Sequence, residues 1–260
     1  MAFSNAGLSW INHLVGAPVL TASSEVATMP VTNLIDDHRS SRWRSVGAGS
    51  AQINFDLGSI MPIGVVGLFG LNHRAAQWRI QLSATGIGNG DVLDTGTIDA
   101  NIKPGYAQTV YCPPEPLNAR YGRITLTDAS DPPIQAHEAG TLWVGDLYRT
   151  QRNFSYGDAP MWTDPSVISR SRGGQVYVDV RDPFRAYELE FRGLTREEAY
   201  TVALEIDRVA GVRGNVLVVP TPGGPFQNYE AILGRPVIAT PVPRWRHNLH
   251  RKRWVFEERL

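Results

Sequence analysis

Ala51-Gln52-Ile53-Asn54-Phe55-Asp56-Leu57 alternates apolar and polar side chains until Gly58-Ser59 interrupts it. A period of two puts every second side chain on the same face, so the stretch reads as a strand with one face buried. Working outward, Trp78 to Ser83 and Tyr121 to Thr127 alternate in the same way. Val65 to Phe69 is a short apolar run suited to a sandwich core, Gly86 to Gly90 supplies a turn, and Thr141 to Tyr148 reads as a closing strand. Strands at this spacing, with turn residues between them and no helical period, imply an antiparallel β-sandwich over residues 1–149.

Composition agrees with a mainly β fold and excludes several other classes. The 260 residues carry 25 basic and 25 acidic side chains, with 42% hydrophobic and 19% charged residues. Neither low hydrophobicity nor high net charge is present, so the chain is not a disordered one. Zero net charge argues against nucleic acid held by a bulk basic field, and no nucleic-acid partner is expected. The single Cys112 forms no internal disulfide and no Cys-rich metal cage, so neither a metal nor a cofactor is expected. The longest apolar stretch, Ile60 to Leu71, is cut by Pro62, Gly64, Gly67 and Gly70. It is too broken to cross a bilayer, and no membrane insertion is expected. Residues 1–20 lack the pattern of a secretory signal, which points to a protein made in a reducing cytoplasm.

Residues 150–174 change character. Asn153, Gly157, Asp158, Pro160, Pro165, Gly173 and Gly174 leave little periodicity, and the segment reads as a connector. Residues 175–260 read as a small β-rich α+β domain. Gln175 to Val180 alternates, with Leu189 to Phe191 as its expected partner strand. Thr195 stands three residues before Glu198, a capping box. Ala199, Val202, Ala203, Ile206 and Val209 then recur at helical spacing, which predicts one helix over about 195–210 ended by Gly211. Strands follow at Asn215 to Val219, Ala231 to Ala239 and Arg253 to Glu258.

The run Asn33-Leu34-Ile35-Asp36-Asp37, then Arg42-Trp43-Arg44-Ser45, then the strand closing on Asp56-Leu57-Gly58, resembles the start of the discoidin, or coagulation factor 5/8 C-type, galactose-binding-like jelly roll. Arg120 to Ile124 and Leu142 to Gly145 fit that family's last strands. The resemblance implies structural roles for Asp36, Asp37 and Trp43: the acids hold a turn and the indole plugs the sandwich. Some relatives place Ca²⁺ in this loop, but His38 and Arg39 follow the acid pair here, and six to eight oxygen ligands are not in view. Ligands in the family bind on loops at one end of the sandwich. Here those loops offer His38, Arg39, Arg42, His73, Arg74 and Trp78 for sugar hydroxyls or acidic groups; the alternatives are solvated loops or contacts to a neighbouring subunit.

Residues 150–260 resemble distal and minor tail proteins of long-tailed bacteriophages and gene-transfer agents. The features are the capped helix, a strand ending Val218-Val219-Pro220, Tyr229 to Gly234, and the closing strand Trp254 to Glu258. The resemblance implies a ring-like homo-oligomer, a hexamer or trimer, that meets tail tube, tip hub and fibre proteins in the virion tail tip after assembly in the bacterial cytoplasm. The basic stretch from Arg244, Trp245 and Arg246 to Arg251 and Arg253 has three readings: an assembly patch for an acidic neighbour, a phosphate patch, or a solvated hairpin. Neither a Gly-x-Ser-x-Gly elbow nor a phosphate-binding glycine loop occurs, so no catalysis is expected. The expected function is therefore a structural tail-tip component with sandwich loops open to host glycans; the alternative is a stand-alone carbohydrate-binding protein.

Overall fold

The computed structural model describes residues 5–38 and 40–259. It is mainly β and divides into two compact units. One is built from the chain up to Arg149 together with Leu217–Ala231, the other from Thr150–Val216 and Ile232–Leu260.

The first unit is an antiparallel jelly-roll sandwich. One sheet orders the strands Val19–Ala22, Ala51–Ile63, Leu117–Asp128 and Ala76–Ser83, with Leu93–Asp94 and Ile98–Asp99 both paired to the last. A second sheet sets Val65–Phe69 between Thr141–Gly145 and Gln108–Tyr111. The alternation dictates which residues turn inward. Ile53, Phe55, Ile80, Leu82, Ile124 and Leu126 meet Val66, Leu68, Leu142 and Val144 in one core that also holds Leu34 and Trp43. Trp43 is fully buried, and its indole N–H donates to the Ser24 carbonyl at 3.3 Å.

Gly58 does not end its strand. It adopts φ +80°, and Asp56 accepts its N–H at 2.7 Å while taking two N–H groups of Arg120 at 2.7 and 2.9 Å. The register shifts between Ala119 and Tyr121. The glycine thus makes a bulge, and the strand runs on to Ile63. The Arg120 guanidinium holds the Asp56 carboxyl below the usual carboxylate range.

Residues 217–231, read from sequence as part of the later domain, lie in the first unit. Leu217, Val218 and Val219 pair with Ser9, Leu8 and Gly7. Gln227 and Asn228 then cover the open edge of Gln108–Tyr111. The Gln227 amide donates to the Val110 carbonyl at 2.7 Å, the Val110 N–H donates to Asn228 Oδ1 at 3.0 Å, and Gln108 donates to the carbonyls of Asn228 and Ala231. Side-chain amides carry both donor and acceptor, so they substitute for a neighbouring strand and close the edge.

In the second unit, Leu249–Glu258 lies between Phe184–Leu194 and Ile232–Pro236, and Ala159–Thr163 pairs on the far side of Phe184–Leu194. The helical run spans Arg196–Glu198, a wider π turn Ala199–Ala203, and Leu204–Val209. Both hydrogen bonds of the Thr195/Glu198 capping box are present. Ala199, Val202, Ala203 and Ile206 are buried, and Gly211 ends the run at φ +54°.

Two sequence readings differ here. The supposed connector holds two strands, Ala159–Thr163 and Val167–Arg170. The strand Val176–Asp179 pairs with Val167–Arg170, not with the Leu189 region, and this ribbon is exposed along both strands. Val176–Asp179 is the strand expected from its alternation, whereas Val167-Ile168-Ser169-Arg170 has no period of two, so its strand was not legible.

Candidate ligand-binding loops of the sandwich

Three loops meet at one end of the sandwich, and short polar contacts join them. Asn72 bridges two of them: its side chain donates to the Ala136 carbonyl at 2.8 Å and accepts the Glu138 N–H at 3.0 Å. Glu138 reaches the third, with its carboxylate 3.4 Å from Arg42 and 3.2 Å from Arg44. Arg42 is therefore drawn into the scaffold, with part of its side chain still exposed. Asp36 holds the first loop by accepting the His38 N–H and the Ser41 hydroxyl, both at 2.9 Å. Asp37 and His38 are exposed. Arg39 lies outside the described residues.

His73 and His137 form the buried centre of this loop end. Their facing nitrogens, His73 Nε2 and His137 Nδ1, lie 2.8 Å apart, and His137 Nε2 lies 2.6 Å from the Gly49 carbonyl. Proton bookkeeping fixes the tautomers. A carbonyl only accepts, so His137 Nε2 carries the proton and its Nδ1 accepts. His73 Nε2 must then be the donor, which leaves His73 Nδ1 as a lone-pair acceptor. That nitrogen is buried without a hydrogen-bond partner, and the residue is only 4% exposed. An unmet buried acceptor costs about 1–3 kcal/mol. Burial and the neighbouring His137 push the His73 pKa down to about 4, so the ring is neutral at neutral pH.

His73 also lines a cavity of about 330 Å³ with Arg74, Ile102, Lys103, Gly105 and Ala107. The Arg74 side chain is exposed, and its backbone N–H donates to the Ser130 hydroxyl at 3.1 Å. Lys103 is set by a 2.5 Å bond to the Asn101 side chain and by the Tyr229 ring, 5.3 Å from its ammonium. Asp128 beside this site spends its carboxylate on the N–H groups of Ser130 and Ile134.

Trp78 does not join these loops as an exposed platform. It is 2% exposed, because its place in the Ala76–Ser83 strand turns the ring into the core. Of the residues singled out in the sequence, His73 and Arg74 share the cavity. His38 and Arg42 lie on the joined loops outside it. Lys103 and His137 were missed: Lys103 sits in a loop with no motif, and the pairing of His137 with His73 spans 64 positions. Cys112, half-buried overall, has its thiol pushed up to about 12 by burial, which makes it inert.

The basic stretch of the second unit is partly neutralised where it lies. Arg244–Arg246 folds back on Leu249–Glu258. Arg253 pairs with Glu188 at 2.8 Å and Arg251 with Glu190 at 3.6 Å, across to the neighbouring strand. Trp245 donates its indole N–H to the Arg192 carbonyl at 2.5 Å, and Arg246 stacks on its ring at 4.4 Å. Arg244 and Arg246 remain exposed.

Residues 19–139 match the F5/8 type C domain. That span holds most of the sandwich strands and all three joined loops. None of the curated proteins compared with the chain matches it. Among solved structures, the chain is similar to the GH29 fucosidase of Ruminococcus gnavus in complex with fucose, at 18% identity and a TM-score of 0.43 over 54% of this chain and 27% of that one. It thus spans about a quarter of the fucosidase's length. It is similar also to the CBM32 of AlyQ in complex with 4,5-unsaturated mannuronic acid, at 22% identity, a TM-score of 0.41, and 52% and 96% coverage. A Streptococcus pneumoniae fucose binding module matches at 16% identity, a TM-score of 0.39, and 52% and 95% coverage.

Proposed function

We propose that this protein binds glycans non-catalytically through the loop end of its sandwich. The observation that carries the reading is a cavity, on the F5/8 type C span, lined by His73 together with the basic residues Arg74 and Lys103. Sugars present hydroxyl and ring oxygens as acceptors, and Arg and Lys side chains donate to them. The stand-alone carbohydrate-binding alternative is therefore the main reading here. A glycan array probed with the full chain tests it: saccharide spots are expected to bind, and Arg74→Ala is expected to weaken the signal about ten-fold, as loss of one charge-assisted contact does. An array without signal at any saccharide would sink the reading.

One observation favours assembly as a second reading. The ribbon formed by Val167–Arg170 and Val176–Asp179 exposes Ile168 at 66% and Val178 at 52% to solvent, and Trp162 on the adjoining edge strand is also exposed. An isolated two-stranded ribbon is marginal in water, and an apolar one gains from being covered by another chain. If copies of this chain cover it, the ring expected from sequence, with tail tube, tip hub and fibre partners in a virion, becomes the setting for the glycan site. Light scattering on the purified chain is expected to show oligomers that Ile168→Asp with Val178→Asp reduces to monomers. A parent protein that is monomeric at every concentration would end this reading.

A further inference from the structure

Resting on the reading in which copies of this chain cover the ribbon of Val167–Arg170 and Val176–Asp179, we propose that two ribbons pack face to face and antiparallel, the basic tip of each on the acidic base of the other. The ladder pairs Ile168 with Val178 and Arg170 with Val176, so these four side chains share one face. Val167, Asp179, Ser169 and Tyr177 share the other. Counted on in twos, the first row continues to Val180, which is 80% exposed, and ends in Asp164 and Asp182. Arg172 follows Arg170 at the tip, where the Ser171 N–H donates to the Gln175 carbonyl at 2.9 Å. At the base the Arg181 N–H donates to the Ser166 hydroxyl at 3.0 Å, and Asp164 accepts the Ser166 N–H at 2.9 Å. Residues 167–183 are all exposed. The row therefore runs from two acids through four aliphatic side chains to two arginines. On the opposite face Arg181 lies 3.2 Å from Asp179, so that pair of charges cancels where it stands.

Tip and base of one ribbon do not neutralise each other. Three strand steps of about 3.3 Å separate Arg170 from Val167 before the chain reaches Asp164, already more than the screening length of about 8 Å. A second ribbon turned end for end sets each arginine pair on the other copy's aspartates and lays aliphatic on aliphatic. A twofold axis repeats every such contact, as an isologous interface requires. The parallel arrangement would set arginine on arginine and aspartate on aspartate, which is costly. The pairing closes at two copies, so it builds dimers or even-numbered rings and no trimer.

Sedimentation of the full chain across a concentration series, at about 150 mM salt, reads the association. Arg170→Glu with Arg172→Glu, and separately Asp164→Lys with Asp182→Lys, are each expected to weaken it about ten-fold or more. The two variants mixed in equal amounts are expected to form dimers holding one copy of each, because an acidic tip then meets a basic base and a basic tip an acidic base. Recovery in the mixture also shows that neither variant had lost its fold. Association unchanged by both reversals, variants that stay apart when mixed, or a trimeric parent overturns this pairing and leaves the covering of the ribbon by copies standing. A parent protein that is monomeric at every concentration overturns both.

Discussion

Asp207→Ala is expected to destabilise the second unit by about 3–5 kcal/mol, the range found when one member of a buried ion pair is removed. Lys252 is fully buried in the strand Leu249–Glu258. Its ammonium donates to the Asp207 carboxylate and to the Thr240 carbonyl, and Trp254 donates its indole N–H to the other Asp207 oxygen at 3.4 Å. Without Asp207 the buried ammonium keeps one carbonyl and no counter-charge. The pair itself adds far less than its loss removes, because both ions were stripped of water to form it. Asp207→Leu combined with Lys252→Met is therefore expected to regain most of the lost stability. Urea unfolding of the full chain, with hydrogen exchange to report on the strand Leu249–Glu258, checks both statements. An Asp207→Ala protein within about 0.5 kcal/mol of the parent, the scatter of an ordinary surface substitution, contradicts the first.

The second large effect is a pH dependence of the first unit. His73 titrates at 6.5 in an unfolded chain and at about 4 in the fold. Above pH 6.5 both states are neutral and the full stability is present. As the pH falls, the unfolded chain takes up a proton that the folded chain refuses, so stability drains away until the folded pKa is reached. At about 1.4 kcal/mol per pH unit, this amounts to about 3 kcal/mol between pH 6.5 and 4. His13 is lowered by burial and adds to the same window. Asp56 and Asp128 are held below their usual range, so their contributions are lost only in stronger acid. Denaturant midpoints measured from about pH 7 down to 4.5 should fall steeply in the parent and less steeply in His73→Leu. Parallel curves for the two proteins would refute the assignment to His73.

The sandwich was legible because its strands bury one face. Ile53 and Phe55, Ile80 and Leu82, and Ile124 and Leu126 stand two apart, and they enter one core. The helix was equally plain from Thr195, Glu198 and the spacing of Val202 and Ile206. Elements whose pattern is not set by a buried face were not readable. The ribbon strand Val167–Arg170 has no inside and no alternation, and the Gln227 and Asn228 cover works through side-chain amides reaching a strand more than a hundred positions earlier. The loop end was half legible. His73 and Arg74 carry a recognisable chemistry, whereas the Lys103 and His137 that complete the arrangement are brought in by the fold alone. Trp78 was misplaced because an aromatic beside a loop motif and an inward strand residue look alike until the strand's phase is fixed.

The return of Leu217–Ala231 to the first unit has a consequence for the order in which the protein is made. A nascent chain that has emerged only as far as Arg149 still presents the bare edge of Gln108–Tyr111, because the amides that seal it lie at Gln227 and Asn228. All of Thr150–Val216 must leave the ribosome before that seal exists. The sandwich core forms early and its closure comes late, so for that interval a half-finished sheet edge is open to any passing strand.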